Sequence, residues 1–299
     1  MSRAAVDPWP FPSPDRSGTA AIWTGAQFVV SGERVRVLSF GTAASGWTEA
    51  LTELHEEVAG RDHFIDVASR AHALAQVKRA TRAASPVVLE VGCSSGYFLE
   101  ELRAAMPQAR IVGADYTLGT LQTLGRRLPD IPLLHFDLTQ CPLPDECADV
   151  VVLLNVLEHI EDDEAAIAQV RRILRDGGSA IIEVPAGSHL YDSYDRGLMH
   201  FRRYDMIDLE AKLRAAGLTP TEQSHLGFAL FPAFWLTKKL SRLRGPNAEP
   251  RPQRGVVNSI NLSKRAGVLG HALMRLEAAL RSRLYLPLGV RCLVRAQRL

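Results

Sequence analysis

Cysteine is scarce in this chain, and long apolar runs are missing from it. The 299 residues include four cysteines, Cys93, Cys141, Cys147 and Cys292, with no CxxC pair or other metal-ligand spacing. We therefore expect no disulfide framework and no metal, and a reducing compartment such as the cytoplasm. No apolar stretch reaches about 18 residues, which argues against a membrane-spanning helix. The opening residues, MSRAAVDPWPFP, lack the apolar centre of a secretion signal. These absences predict a cytoplasmic protein.

Net charge is small, but it is unevenly distributed. The formal net charge is +2, yet residues 237–299 hold 14 Lys and Arg against 2 Asp and Glu. Residues 1–236 hold the other 21 basic and 31 acidic residues. A basic region of this kind is typical of proteins that meet an anionic ligand, a membrane surface or nucleic acid, and also of a plain solvated face. No nucleic-acid-binding module accompanies it, so we expect no nucleic-acid partner.

A regular alternation of strand and helix patterns begins near residue 86. The patterns predict strands over 87–91, 110–115, 132–136, 148–154 and 179–184, with helices over 96–105, 117–127 and 162–175. A helix over 206–216, a strand near 218–226, a helix near 266–283 and a strand near 288–296 follow. Alternation of this kind predicts an α/β fold, a parallel sheet with helices on both faces.

The flanking segments divide the chain further. We expect a flexible arm over 1–18, an extension over 19–84 (a hairpin turning at 31–33, then helices over 48–58 and 64–82), a core over 85–227, a helical insertion over 228–286 with a linker over 245–256, and a last core strand within 287–299. The apolar segment 225–244 is expected to pack into the core. The alternatives are an acceptor wall, a homodimer contact or a peripheral membrane anchor.

Carboxylates, glycines and an asparagine stand where the predicted strands end. Glu90 and the turn Gly92–Gly96 close the first strand, Asp115 the second, Asp137 the third, and Asn155 with Glu158 and His159 the fourth. The carboxyl ends of parallel strands form the ligand crevice of a doubly wound sheet. A carboxylate placed like Asp115 accepts hydrogen bonds from both hydroxyls of a ribose. The turn lacks the middle glycine of GxGxxG, which weakens a dinucleotide interpretation.

Together these motifs resemble those of class I S-adenosylmethionine-dependent methyltransferases. The resemblance rests on LEVGCSSG at 89–96, GAD at 113–115, FDL at 136–138, NVLEH at 155–159 and LRDGG at 174–178, and it covers roughly 85–226. It implies a doubly wound, mostly parallel, seven-stranded Rossmann-like sheet with helices on both faces. An N-terminal hairpin and helix extension and a helical insertion before the last strand would complete the fold.

The resemblance also implies roles for residues and S-adenosyl-L-methionine as cofactor. The cofactor-binding set would be Glu90 for the methionine amino group, the backbone of Gly92, Cys93, Ser94 and Gly96 for the methionyl and ribose parts, Asp115 with Tyr116 for the ribose, Asp137 and Leu138 for adenine, and Asn155 with Val156 for the amino group. Ser94 stands where the family usually has glycine. We expect His159 to be structural and Cys93 to be small and buried, not a nucleophile. In the alternative interpretation Asp115 ends a strand and Asp137 belongs to a turn.

The segment 189–204 follows the fifth strand and gathers histidines, tyrosines and arginines. Its end, HFRRY, resembles a His-x-Arg-Arg-Tyr element of a subset of these methyltransferases. We hypothesise that His200 is the base, since a histidine near neutral pKa suits proton transfer. The predicted acceptor-shaping residues are Tyr191, Tyr194, Arg202, Arg203 and Tyr204. The alternative is a cover held together by its own salt bridges.

The sequence therefore predicts methyl transfer from S-adenosylmethionine to an oxygen or nitrogen of a small molecule. A natural product or a glycosylated or anionic metabolite would suit the arginines of 189–204. Two other classes remain open: a non-catalytic module that binds the cofactor or a partner, and an NAD(P)-dependent oxidoreductase.

Overall fold

A small antiparallel sheet begins the fold. The structure, a computed structural model, describes residues 9–14, 20–41, 61–81, 83–243, 267–281 and 284–299. The predicted helix over 48–58 and the linker over 245–256 lie outside these residues. The first sheet consists of β1 (Ile22–Trp23), β2 (Phe28–Val30) and β3 (Glu33–Val35). It contains the hairpin that the sequence predicts around 31–33.

The central sheet of the described chain has eight strands and is mostly parallel. They are β4 (Val37–Ser39), β5 (Val87–Val91), β6 (Arg110–Asp115), β7 (Leu133–His135), β8 (Ala148–Leu154), β9 (Leu174–Pro185), β10 (Leu218–Leu226) and β11 (Arg291–Arg298). Their order across the sheet is β10-β11-β9-β8-β5-β6-β7-β4. The strands from β9 to β4 are parallel, whereas β11 is antiparallel to both β9 and β10.

Helices cover both faces of this sheet, as the sequence predicts. They are α1 (Phe64–Ala80), α2 (Tyr97–Ala105), α3 (Leu118–Arg127), α4 (Asp163–Ile173), α5 (Ser193–Gly197), α6 (Met206–Ala215), α7 (Phe231–Leu243) and α8 (Gly267–Arg281). The first three pack on one face, and α4 and α6 pack on the other. The predicted helix over 162–175 ends two residues early, because Leu174 already pairs with Ala148 as the start of β9.

Alternation along the central strands builds two apolar layers. In β5, Val88 packs with α1 and α2, while Leu89 packs toward α4. Both side chains are fully buried. Burying a side chain of this size contributes about 1.5–3 kcal/mol. Strands that are apolar on both faces are expected for a parallel sheet between two helix layers.

The strand count differs from the prediction by one. Seven strands, β5 to β11, form the predicted sheet. Val37–Ser39, predicted only as part of the hairpin extension, adds an eighth strand parallel to β7. The amide of Phe40 also donates to the carbonyl of His135 over 2.9 Å. The extension is therefore joined to the core by backbone hydrogen bonds.

The predicted flexible arm is wrong for residues 9–14. Trp9 and Phe11 are only 3% and 1% exposed. The indole of Trp9 donates to the carbonyl of Cys147 over 2.8 Å, and the Phe11 ring lies 4.9 Å from that of Phe28. The proline-rich composition suggested mobility, but burial of the two aromatic rings outweighs the entropy of the short segment.

The apolar segment 225–244 is only partly buried, so the expectation of core packing holds for part of it. Leu226 is buried at the end of β10, whereas Trp235, Leu236 and Leu240 on α7 are each at least 40% exposed. In the described ranges, no helix combines the length and apolar character needed to cross a membrane. A homodimer contact or a membrane surface at α7 stays a prediction.

A buried ion-pair network joins α1, β9 and β11. Arg291 contacts the carboxylates of Glu183 and Asp66, each over 2.6 Å. Glu183 is 1% exposed and also accepts from the hydroxyl of Ser69 over 2.8 Å. These acids raise the pKa of Arg291 against the opposing effect of burial. The network therefore fixes the helix against the strand ends.

We expect Arg291→Met to lower the free energy of unfolding by about 3–5 kcal/mol, because it leaves the Glu183 carboxylate buried without its cation. Urea denaturation measures the change. The matched control is Arg295→Met on the same strand: Arg295 meets Glu222 only at 3.6 Å near the surface, so its loss costs about 1 kcal/mol or less. Equal losses in the two variants would contradict a structural role for the network.

Candidate functional site

The candidate site is the crevice at the carboxyl ends of the parallel strands. From β5 the chain winds to β6 and β7 on one side, then returns to β8 on the other. The winding direction therefore reverses between β5 and β8, and a doubly wound sheet binds ligands at such a point. The turns after these two strands, at 92–96 and 155–159, are the ones that the sequence singled out.

The turn after β5 leaves no room for side chains where it faces the turn after β8. Gly92 has a φ of +77°, and a Cβ built on it would lie 2.4 Å from Cγ2 of Val156. Ser94 has a φ of +43°, a conformation that glycine adopts most easily. This conformation explains why the related family usually has glycine at that position. The amides of Gly92 and Cys93 both donate to the carbonyl of Ala114, over 2.8 and 3.0 Å.

Asp115 fastens this turn from the end of β6. Its two carboxylate oxygens accept the amide hydrogens of Ser94 over 2.8 Å and Thr117 over 2.9 Å. Burial raises the pKa of Asp115, and these hydrogen bonds oppose the rise. Each oxygen retains a second lone pair, so the carboxylate can hold the turn and still accept a ligand hydroxyl.

The other predicted cofactor residues differ in which atoms they present to the crevice. Asp137 accepts the amide and hydroxyl hydrogens of Thr139, both over 2.8 Å, and so also begins the short 3₁₀ turn 138–140. Leu138 and Cys93 are buried, and Tyr116 is half-buried. Burial raises the pKa of the Cys93 thiol, which packs in the apolar layer beside α2. Cys93 therefore offers only its backbone to the crevice.

Buried carboxylates line the strand ends. Glu90, Glu158 and Glu183 are at most 4% exposed. Burial raises the pKa of Glu90, and the charge of Asp115 raises it further. Its Oε2 atom has no hydrogen bond. A buried acceptor atom without a hydrogen bond favours a ligand that brings a hydrogen-bond donor or a positive charge, whereas the anionic pyrophosphate of a dinucleotide brings neither.

Glu158, His159 and His200 form a cluster beside Asn155. One nitrogen or oxygen atom from each lies within 4.8 Å of those of the other two. The rings of His159 and His200 meet edge to face, with centroids 4.6 Å apart. The amide of Phe201 donates to the carbonyl of Glu158 over 2.7 Å and holds the two segments together. No role was predicted for Glu158, and His159 was expected to be structural.

His200 is oriented by a buried carboxylate. Its Nδ1 lies 3.3 Å from Oδ1 of Asp195, which is fully buried. Burial lowers the pKa of His200 more than this partner raises it. The hydrogen bond leaves Nε2 as the nitrogen available to a ligand or a proton.

Asp195 is also the centre of an ion-pair network. Arg203 donates to it over 2.7 and 2.8 Å, and the ammonium of Lys238 on α7 lies 2.9 Å away. Burial alone would raise the pKa of Asp195, but the hydrogen bonds from His200 and Arg203 and the charges of Arg203 and Lys238 hold it well below its usual range. Lys238 contacts Asp192 as well, over 2.7 Å.

The prediction that Arg203 and Tyr204 contact an acceptor is therefore wrong. Arg203 is 7% exposed and is paired with Asp195, and Tyr204 is 2% exposed and donates to Asp163 over 2.8 Å. Arg202 is paired with Asp163 as well, over 2.6 Å. These arginines and this tyrosine find their polar partners within the protein, on Asp195 and Asp163. The alternative of a cover held by its own salt bridges describes these three residues.

The two predicted tyrosines lie on the same cover. Tyr191 donates from its hydroxyl to the carbonyl of His200 over 2.7 Å. The Tyr194 ring lies 5.1 Å from the ammonium of Lys238. Met199 and Phe201, which flank His200, are 40% and 45% exposed. No sequence pattern distinguished these two apolar residues, since only the polar residues around them suggested chemistry.

Comparison with known proteins points to one family. Residues 89–182 match the family described as "Methyltransferase domain". A Mycolicibacterium smegmatis protein named "Probable S-adenosylmethionine-dependent methyltransferase" is 29% identical over 192 residues, which are 64% of this chain and 72% of that protein. A Mycobacterium tuberculosis protein of the same description is 29% identical over 116 residues, 39% of this chain and 42% of its own length. The second match thus spans less than half of that relative.

A solved structure shares the fold. Phosphoethanolamine N-methyltransferase 2 of Haemonchus contortus, in complex with S-adenosyl-L-methionine, superposes with a TM-score of 0.53 at 12% identity. The superposition covers 83% of this chain and 60% of that one. At this identity the likeness concerns the architecture alone.

We expect Lys238→Met to loosen the segment 191–205, because it removes one of the cations that neutralise Asp192 and Asp195. The free energy of unfolding should fall by about 3 kcal/mol. Amide hydrogen exchange across 191–205 should become faster. Lys239→Met is the control, since Lys239 is exposed and its ammonium lies 4.9 Å from the centre of the Trp235 ring, away from both aspartates. Unchanged exchange in Lys238→Met would contradict the anchoring role.

Proposed function

We propose that the chain is a class I S-adenosylmethionine-dependent methyltransferase and that it methylates an oxygen or nitrogen of a small apolar acceptor. The acceptor would bind between the turn after β8 and the cover 188–205. The observation that carries this proposal is the oriented His200 beside the exposed side chains of Met199 and Phe201. The cofactor is S-adenosyl-L-methionine.

The crevice fits this cofactor in two respects. Gly92 packs directly against Val156, where a Cβ atom would overlap the valine side chain, so the bare backbone of 92–96 forms a cradle at the border of the crevice. The orphaned Oε2 of Glu90 provides a buried acceptor for a cationic group, such as an ammonium. Asp115 would accept from the ribose hydroxyls, and Asp137 with the amide of Leu138 would meet the adenine. When bound, the cofactor supplies a methyl group activated by a sulfonium charge.

We expect Gly92→Ala to weaken binding of S-adenosylmethionine and S-adenosylhomocysteine. The new methyl would meet Val156 at 2.4 Å, and the strain is relieved only by moving one of the two turns that border the ligand. Overpacking costs about 1–3 kcal/mol, which corresponds to roughly a 5- to 150-fold higher dissociation constant. Isothermal titration calorimetry measures it.

Gly177→Ala is the matched control for this prediction. Gly177 has the same φ of +77°, but a Cβ built on it meets no atom within 4 Å. Both variants therefore strain the backbone to a similar degree, but only Gly92→Ala adds an atom at the border of the crevice. If both variants bound the cofactor as tightly as the wild type, the assignment of the cradle would fail.

The acceptor is argued from the surface beside His200. Two of the three arginines that suggested an anionic acceptor are already paired, Arg203 with Asp195 and Arg202 with Asp163, whereas Arg196 is exposed. Met199 and Phe201, the neighbours of His200 in the sequence, instead expose apolar surface. An acceptor with an apolar or aromatic body and one hydroxyl or amine suits this surface better than an anionic or glycosylated one.

His200 is the proposed base. Asp195 fixes the ring through Nδ1 and would stabilise the positive charge that forms when Nε2 takes a proton. The hydroxyl of Tyr191 holds the carbonyl of His200 and so limits rotation of the backbone there. Positioning by the cover and proton removal by the imidazole are then the contributions of this chain to methyl transfer.

The test of the proposed function is formation of S-adenosylhomocysteine by the purified protein. Phenols, quinols, aliphatic alcohols and amines would each be supplied with S-adenosylmethionine, and the product would be identified by mass spectrometry. We expect methylation of a hydroxyl or amine on an apolar acceptor. Methylation of anionic or glycosylated acceptors alone would overturn the acceptor class, and methylation at carbon would overturn the choice of atom.

With an acceptor found, His200→Ala should lower kcat by roughly 10²-fold or more. The affinity for S-adenosylmethionine should stay unchanged, because the cofactor residues lie on other turns. His189→Ala is the control, since His189 belongs to the same connection but is exposed and lies outside the cluster. An unchanged kcat in His200→Ala would contradict the role of His200 as base.

A further inference from the structure

Three metal-ligating side chains converge beside the proposed acceptor position. Glu158, His159 and His200 each offer one ligand atom within 4.8 Å of the others. Two imidazoles with one carboxylate suit a cation such as Zn²⁺ or Fe²⁺, whereas Mg²⁺ and Ca²⁺ prefer oxygen ligands alone. We propose that these three residues bind one divalent transition-metal cation. The sequence predicted no metal, because the three residues match no metal motif.

An orphaned buried atom in the cluster indicates a missing partner. Glu158 is 1% exposed, and its Oε2 atom has no hydrogen bond. A carboxylate oxygen buried without a hydrogen bond is costly, since it has lost its hydration and has no direct partner in return. A cation held between this oxygen and the imidazoles would supply the missing interaction.

The environment of His200 is the one usual for a metal ligand. A histidine that binds metal commonly donates its other ring nitrogen to a carboxylate, which fixes its tautomer and orientation. Asp195 fills that position, 3.3 Å from Nδ1 of His200. Asp195 is fixed in turn by Arg203. The positive charge of Arg203 is thereby neutralised, so it does not oppose a cation nearby.

The cluster needs only a local contraction to close around an ion. Tetrahedral Zn²⁺ has bonds of about 2.0–2.1 Å, which sets its ligand atoms roughly 3.3 Å apart. The present separations reach at most 4.8 Å. The hydrogen bond from the amide of Phe201 to the carbonyl of Glu158 already holds the two segments side by side.

A cation here gives the protein a second way to activate an acceptor. It leaves positions that an acceptor hydroxyl can occupy, and its charge lowers the pKa of that hydroxyl. The O–H bond would then break with the proton passing to solvent water, and the oxygen would bond to the methyl carbon as the methyl–sulfur bond of S-adenosylmethionine breaks and leaves S-adenosylhomocysteine. In the cation-loaded protein His200 is a ligand instead of the base. This consequence rests on the proposed function, whereas cation binding itself does not.

Metal binding by the full-length, tag-free protein tests the inference. The protein would be stripped with a chelator, then titrated with Zn²⁺ by calorimetry and with Co²⁺ by visible absorption. We expect saturable one-to-one binding. Glu158→Gln, His159→Gln and His200→Gln should each weaken it by at least roughly 10-fold. His189→Gln is the control that should bind as the wild type does, and retained binding of S-adenosylmethionine shows that each variant is folded.

Two results would overturn the site: no saturable binding by the wild type, or equally tight binding by all three cluster variants. The same experiments test the proposed function independently of the metal site. Saturable binding with no methyl transfer to any acceptor would contradict the proposed function and leave the site intact. Methyl transfer that is unchanged after stripping, with no saturable binding, would overturn the site and leave the proposed function intact.

Discussion

The buried carboxylate of Asp195 is the constraint on which the functional side of this molecule depends. A carboxylate without solvent contact must be neutralised, and here Arg203 and Lys238 supply the positive charge while His200 adds a hydrogen bond. These partners come from two parts of the structure: α7 supplies Lys238, while His200 and Arg203 belong to the cover. One acid therefore fixes the cover over the crevice, orients the imidazole and removes an arginine from the surface. Removing one partner of such a buried pair costs more than the pair itself contributes, so the arrangement is locked as a unit.

The charge of the crevice explains the choice of ligand better than the glycine turn does. A glycine turn after the first strand is shared by many nucleotide-binding sheets, and its missing middle glycine is ambiguous. Glu90 and Glu158, by contrast, are buried acids without a hydrogen bond on one oxygen each. A pyrophosphate would add negative charge to this site, whereas a ligand with positive charge relieves it. Electrostatics thus separates a methyltransferase crevice from a dinucleotide crevice on a similar sheet.

The residues at the strand ends could be predicted from the sequence, whereas the contacts made by the cover could not. Glu90, Asp115 and Asn155 each follow an apolar run directly, so the parallel arrangement of the strands brings them to one edge. Tyr204 and Lys238 instead contact Asp163 and Asp195, which lie 41 and 43 residues away in the chain, and Arg203 contacts Asp195 across a turn of eight residues. Arginines and tyrosines near a crevice suggest recognition, but three-dimensional packing pairs these with Asp195 and Asp163. The same reasoning applies to Trp9 and Phe11, whose burial outweighs their proline-rich surroundings.

The cluster of Glu158, His159 and His200 joins two segments that are distant in the sequence, so the sequence alone could not predict it. His159 and His200 are 41 residues apart, and His159 alone resembles a histidine packed beneath a strand end. The backbone hydrogen bond between Phe201 and Glu158 brings the two segments into register. The Oε2 atom of Glu158, buried without a hydrogen bond, then lies beside two imidazoles. A cation shared by the three side chains would give this oxygen the interaction that it lacks.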